Sequence, residues 1–346
     1  MKCSRRDLLA AAAAVPLAIK AQDKSGSKPP VLGAGEYQYE AIHDWGELPA
    51  HIVFGNTHGV CEDSAGHIYI HHTVHATSKS PDSIVVFDPK GKFVRSWGSQ
   101  YKDGAHGLHL RREGSTEFLY ICDQLHGIVS KRTLKGEEVW TIGYPNESEK
   151  YRLRTPLGGN IPYRPTNVAI AANGDVFIGD GYGSFYINQY DRNGKFIRSF
   201  GGAGKDPGQL SQPHGLIVDQ RSGQETLLVA DRGNHRLQRF TLDGRHLEFL
   251  EGTLWPCHFH ERNGDMVIPD LQSRVTLLGK DNKIIGHLGD SGFTPQQFLQ
   301  ARTKPKSEFT PGKFVCPHGA IFDHSGNIFV VEWVEAGRVT KLRKLA

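Results

Sequence analysis

One pattern constrains this chain more than any other: four short apolar runs separated by turn residues, repeated along most of its 346 residues. The clearest copy begins Pro165-Thr166-Asn167-Val168-Ala169-Ile170 and continues through Val176-Phe177-Ile178-Gly179-Asp180 and Tyr186-Ile187-Asn188-Gln189-Tyr190. It ends at Phe196-Ile197-Arg198-Ser199-Phe200-Gly201. The same order recurs from Pro213, Pro256 and Pro317, with weaker copies from Thr57 and Ala105. The six starts, at His58, His106, Thr166, His214, Cys257 and His318, lie 48, 60, 48, 43 and 61 residues apart. Four short strands fill roughly 40 residues, the size of one propeller blade. The spacing therefore predicts an all-β, six-bladed β-propeller over residues 36–346. The surplus length falls in two insertions, 144–164 and 290–316, each between one blade's outer strand and the next blade's inner strand. Such connections gather on one face of a propeller, where a site would be.

The last repeat lacks a fourth strand after Gly337 to Leu342. Tyr39-Glu40-Ala41-Ile42-His43-Asp44-Trp45-Gly46 resembles the outer-strand segment Lys92 to Gly98, so the N-terminal segment is expected to complete the sixth blade and close the ring. Closure removes the open strand edges that invite pairing with other chains.

Ahead of the repeats, Ser4-Arg5-Arg6-Asp7-Leu8-Leu9 precedes the apolar run Ala10 to Ala18, the form of a twin-arginine export signal. Residues 1–21 are read as that leader, with periplasmic or secreted location following. The run is too short to span a membrane. Residues 22–35, rich in Lys, Ser, Gly and Pro, read as a disordered lead-in. Lys2, Arg5, Arg6 and Lys20 against Asp7 give the leader +3 of the formal +4, so the body is nearly neutral. That argues against nucleic acid as a partner. A monomer acting on a small-molecule or peptide substrate is expected. Cys61, Cys122, Cys257 and Cys316 are either paired, as export permits, or free buried thiols.

The six starts carry the chemistry. An inner strand begins at each, so these side chains line the channel mouth. His106, His214 and His318 fall on alternate blades, about 120° apart in a six-fold ring. Three neutral imidazoles leave an open position on a divalent metal, the usual design of a catalytic zinc site. The competing reading is hydrogen-bonded core histidines. His58 is a group behind the ligands, a fourth ligand or, preferred, a polar channel residue; Cys257 and Cys316 are further candidates to stand behind the ligands. Tyr182 and Arg232 follow the second strands of blades three and four. A tyrosine beside a metal can serve as a base, and an arginine can hold a carboxylate or developing negative charge. Ring packing for Tyr182, and a salt bridge to Asp231 for Arg232, are the alternatives.

Asp231-Arg232-Gly233-Asn234-His235-Arg236 resembles the NHL repeat signature. Within NHL propellers, the stretch 165–252, with Pro-Thr-Asn-Val, Gly-Asp-Gly-Tyr, Pro-Gly-Gln-Leu, Pro-His-Gly-Leu and Ala-Asp-Arg, is similar to the peptidyl-α-hydroxyglycine α-amidating lyases. The resemblance implies zinc on His106, His214 and His318, with Tyr182 and Arg232 as catalytic residues. Four positions depart from the family. Phe54-Gly55-Asn56 stands where the lyases carry another active-site arginine, which Arg154 or Arg164 is a candidate to replace. Gly319 stands where they carry an acidic residue of a structural calcium site, so that calcium site does not carry over. Cys316 replaces a methionine and Gly183 a cysteine. The expectation is an exported zinc-dependent lyase that cleaves a carbinolamide C–N bond. The rivals are a non-catalytic propeller that binds a protein or glycan, and a lactonase-like propeller hydrolase.

Overall fold

The computed structural model describes residues 28–345. The leader and the lead-in up to residue 27 lie outside the described residues.

Six antiparallel sheets form, five of them from four consecutive strands each. Blade one runs Thr57–Glu62, Ile68–His72, Ile84–Phe87 and Phe93–Trp97; blade two starts at Ala105–Glu113, blade three at Asn167–Ile170, blade four at Pro213–Asp219 and blade five at His260–Arg262. Blade six takes Pro317–Phe322, Ile328–Glu332 and Arg338–Lys344, and then Tyr39–His43 pairs antiparallel to its last strand, Tyr39 opposite Lys344 and His43 opposite Thr340. The ring is thus closed by the N-terminal strand, as the sequence match to Lys92–Gly98 required. Within the lead-in, the described residues 28–35 include a short strand. Val31–Leu32 pairs with Tyr39–Glu40 and adds a fifth strand to blade six. Two apolar residues beside an open edge gain ladder hydrogen bonds that a polar composition average does not register.

Burial follows the blade interfaces. One apolar cluster lies between each adjacent pair of blades, for example Val60, Ile70 and Val85 of blade one against Phe329, Val331 and Val339 of blade six. The second strand of every blade is buried along most of its length, covered on both faces, which explains its apolar run. A seventh cluster sits at the mouth, where the 290–316 insertion folds back. There α1 (Pro295–Ala301), capped by Thr294 and Gln297, buries Phe298 against Leu271, Val315 and Val334.

A buried acid ends the second strand of five blades: Asp123, Asp180, Asp231, Asp270 and Glu332, all fully buried. Each accepts backbone N–H groups from nearby loops: Asp180 from Arg164 and Ser184, Asp231 from Ser211, Asp270 from Leu254, Glu332 from Val315. Loops that come down onto the channel mouth bring unpaired donors, and a fixed carboxylate satisfies them. In blade one His72 takes that place, its Nδ1 accepting from Val74 at 3.0 Å. All four described cysteines are free and buried. Among the described residues no helix is long and apolar enough to cross a membrane.

Candidate metal centre and active site

In four blades the inner strand is irregular at one place, and that place is a histidine. Ala105 pairs with Asp123 and Leu108 with Ile121, leaving His106 and Gly107 opposite one residue; the register slips likewise at His58, His214 and His318. A bulge turns a side chain out of the ladder's alternation, here into the channel. The glycine that follows each histidine has an ordinary backbone angle and is required for a different reason. A Cβ on Gly107, Gly215 or Gly319 would stand 2.6, 2.6 or 2.7 Å from the carbonyl oxygens of Thr166, Cys257 and His58. Those three carbonyls accept the Nδ1–H of the preceding blade's histidine: His106 to Thr166 at 2.5 Å, His214 to Cys257 at 2.8 Å and His318 to His58 at 3.0 Å. Blades two, four and six therefore contribute rings, and blades three, five and one contribute the carbonyls that hold them. With Nδ1 protonated and engaged, Nε2 is the free lone pair, the arrangement that orients a metal-ligating imidazole.

The three rings form a near-equilateral triangle, with centroids 4.7, 4.8 and 4.7 Å apart. All are buried. Burial pushes the His106 imidazolium down to about 3, helped by Arg232, and takes His214 and His318 well below the usual range. The rings are neutral at neutral pH, as metal ligands must be. Donor atoms gather in two overlapping sets that share His318: His58, His106 and His318, and His214, Cys257 and His318, within 4.8 Å in each. His58, read from the sequence as a polar channel residue, has its donor nitrogen in the first of these sets. Its Nδ1 lies 3.4 Å from His318 Nε2. A buried set of neutral imidazoles with fixed Nδ1 atoms fits a divalent cation, and the nitrogen and sulfur donors favour zinc over calcium or magnesium. Cys316 joins neither set; its sulfur faces the Phe298 carbonyl at 3.7 Å, beneath α1.

Tyr182 reaches into this cluster from the turn after blade three's second strand. Its hydroxyl stands between His214 Nε2 at 3.0 Å and His106 Nε2 at 3.3 Å. Arg232 Nη2 donates to it at 3.1 Å and to Gln212 Oε1 at 3.2 Å. Burial raises the Tyr182 hydroxyl above its usual range while Arg232 opposes the rise. The salt bridge of Arg232 to Asp231 does not form. Asp231 is filled by Ser211, Asn234, Arg236 and Gln238. Arg232 is instead 5% exposed, its Nε has no partner, and no acidic side chain among the described residues pairs with it. A buried cation without a counter-charge is costly unless a ligand supplies one. Gly183, where the lyases carry a cysteine, has no room for a side chain, because a Cβ there would overlap the Asp180 carboxylate.

Above the cluster opens a cavity of about 420 Å³. Its lining combines the polar Asn56, Thr73, Gln124, Arg164, Gln212 and Arg232 with the apolar Trp255, Leu271, Leu299 and Trp333. No acid lines it. Of the two arginines considered as replacements for the one missing at Phe54-Gly55-Asn56, Arg164 reaches the cavity and Arg154 does not, its guanidinium resting on the Arg152 and Leu153 carbonyls. The sequence reading missed Arg302. It follows α1, stacks on Trp333 at 3.7 Å and donates to Asn56 Oδ1 at 2.9 Å. Nothing in the repeat pattern marks it; only the placement of 290–316 at the mouth pointed that way.

Fold and site together define an NHL-type six-bladed propeller with a histidine-rich candidate metal centre in its channel. No protein-family model matches the chain. It is 34% identical over 277 residues to the "Probable peptidyl-alpha-hydroxyglycine alpha-amidating lyase" of Caenorhabditis elegans, covering 76% of this chain and 70% of that protein. On that similarity the chain belongs to the peptidyl-α-hydroxyglycine α-amidating lyase family. It is also 28% identical over 237 residues to the "Peptidyl-glycine alpha-amidating monooxygenase" of Mus musculus, covering 61% of this chain but 23% of that protein, so it spans less than a quarter of that relative's length. Among solved structures, a gluconolactonase from Xanthomonas campestris superposes with a TM-score of 0.59 at 13% identity, covering 92% of this chain and 95% of the other. That likeness concerns the fold alone.

Proposed function

We propose that this chain is an exported, metal-dependent lyase that cleaves the C–N bond of a carbinolamide ending in a carboxylate, releasing an amide and an aldehyde acid. One observation carries the reading: three neutral imidazoles are each held by a carbonyl of the next blade, and two of them, His106 and His214, flank a tyrosine hydroxyl backed by a buried arginine that has no acidic partner. A divalent cation, zinc for this donor set, supplies Lewis acidity toward the substrate hydroxyl when bound. His106, His214 and His318 would hold it. Tyr182 is placed to accept the hydroxyl proton as the phenolate, the form that Arg232 favours. As the C–O bond becomes a carbonyl, the C–N bond breaks and the nitrogen takes a proton to become the amide. Arg232 and Arg164, in a cavity without acids, are suited to a substrate carboxylate. The likeness to named amidating lyases supports the reaction type, and the cavity's size suits the end of a peptide or a small molecule.

The test is elemental analysis of the mature protein, followed by turnover of a peptidyl-α-hydroxyglycine. About one zinc-like ion per chain and aldehyde-acid release are expected. Tyr182→Phe should keep the metal and lose roughly 10²–10⁴-fold in rate. A metal-free wild-type protein would leave the non-catalytic propeller as the better reading. Export rests on the Arg5-Arg6 leader: Arg5→Lys with Arg6→Lys should hold the protein in the cytoplasm, and normal periplasmic levels in that double variant would refute it.

A further inference from the structure

Blade five carries a cysteine where blades one, two, four and six carry a histidine. Cys257 lies just ahead of its blade's inner strand, His260–Arg262, at the repeat position equivalent to those histidines, its backbone N–H donating to the Pro269 carbonyl and its own carbonyl accepting from His214 Nδ1 at 2.8 Å. The thiol and the His214 ring are thereby fixed side by side. Two readings compete for that sulfur. It belongs to the apolar cluster under α1, with Leu271 and Phe298, so it can be a packing residue. Three features go beyond packing. Its Sγ lies within 4.8 Å of the donor nitrogens of both His214 and His318. The Arg232 guanidinium, buried and without an acid, directs Nη1 at it from 3.7 Å. His318, shared with the His58 and His106 set, has its Nδ1 committed to the His58 carbonyl and so offers a single nitrogen to the channel.

We propose that Cys257 is a further metal ligand beside His106, His214 and His318: its sulfur lies with the His214 and His318 donors, and the centre binds one thiophilic divalent cation, with His58 as the neighbouring imidazole. This rests on the metal-dependent reading above and adds a sulfur that the three-histidine set lacks. Because His318 presents one nitrogen, the two sets hold one ion between them, and the cation settles where the stronger donor draws it. Coordination exchanges the thiol proton for the metal, and the proton leaves to solvent. A thiolate selects zinc, cadmium or cobalt over magnesium and calcium. Arg232 then has two anionic neighbours in the loaded centre, the thiolate and the substrate carboxylate, which accounts for a guanidinium buried with no acid of its own.

The experiment loads the full chain, stripped of metal, with cobalt(II). The wild type should show an intense near-ultraviolet sulfur-to-cobalt charge-transfer band. Cys257→Ser, close in size and still able to present its backbone carbonyl to His214, should keep its cobalt visible bands, lose the charge-transfer band and bind zinc at least tenfold more weakly. Cys122→Ser, in the core between blades two and three, should match the wild type. X-ray absorption of the zinc-loaded wild type needs no variant and should show one sulfur at about 2.3 Å. Cobalt bound without a charge-transfer band, a band that survives Cys257→Ser, or a zinc shell with nitrogen and oxygen only would overturn the sulfur ligand and leave the metal-dependent reading standing. Failure to bind cobalt or zinc at all would overturn both.

Discussion

Blades two, four and six and blades one, three and five use the same position of the same repeat for opposite purposes. In the even blades the side chain acts: His106, His214 and His318 present Nε2 to the channel. In the odd blades the backbone acts: the carbonyls of His58, Thr166 and Cys257 take the Nδ1 protons. A six-fold ring thus becomes a three-fold centre without any change of topology. The device depends on glycine, because each of these histidines is followed by one at the closest approach of two inner strands. The odd blades' side chains are thereby free to differ, and they do: an imidazole, a hydroxyl and a thiol.

Several experiments can break that comparison. The largest effect is expected from the even-blade rings. Alanine at His106, His214 or His318 should weaken metal binding by orders of magnitude in a chelator-competition titration, while His235→Ala, whose ring lies outside against the Leu254 carbonyl, should leave it unchanged. Equal binding by all of these variants would remove the centre. Next come the glycines. Gly215→Ala pushes the Cys257 carbonyl off the His214 ring and should cost about 10–100-fold in metal affinity, as loss of a ligand's supporting hydrogen bond does. The fold should survive, as checked by its β-sheet circular dichroism. An unchanged affinity would mean that the carbonyls do not orient the rings.

A third test separates histidines that bind from those that are merely buried. Burial holds His71, His72, His109 and His260 at about 3, against 6.5 for the free side chain. Between those values the unfolded chain takes up protons that the folded chain refuses. Stability of the metal-free protein should therefore rise with pH across that window and be lost on acidification from about 6.5. Thermal melts from pH 7 to pH 4 should show a falling midpoint; a flat profile would contradict the burial. The smallest effect belongs to an odd-blade side chain. Thr166→Val removes hydroxyl bonds to the Gly179 and Pro213 carbonyls but keeps the carbonyl under His106. It should cost about 1 kcal/mol of stability in a urea titration and leave metal affinity alone. A loss of metal there would show that the Thr166 hydroxyl, and not only its carbonyl, supports the centre.

At two positions where the sequence left alternatives open, the contacts made are of one kind. Arg232 was open to pairing with its chain neighbour Asp231, yet that acid serves as an acceptor for loop N–H groups and for Arg236. His58 was preferred as a bystander, yet its ring touches His318 across the junction of the first and last blades. The contacts these two side chains do make, Arg232 with Tyr182 and His58 with His318, join different blades, which local sequence does not express. Arg302 is the same case at greater distance, since Asn56, its partner, lies 246 residues away.

What the sequence determined by itself is the repeat and everything that the repeat makes equivalent. Blade number, ring closure by Tyr39–His43 and the three-fold placement of His106, His214 and His318 all follow from periodicity, because each blade is a local unit whose apolar alternation is written in consecutive residues. What only the tertiary structure decided is how the equivalent positions divide their labour. Which nitrogen of each imidazole is committed, which carbonyl takes it and which charge remains unpaired beneath the mouth depend on distances between adjacent inner strands. Those distances are set by packing between blades, and a Cβ that would reach within 3 Å of a neighbour's carbonyl has no signature in the chain except a glycine.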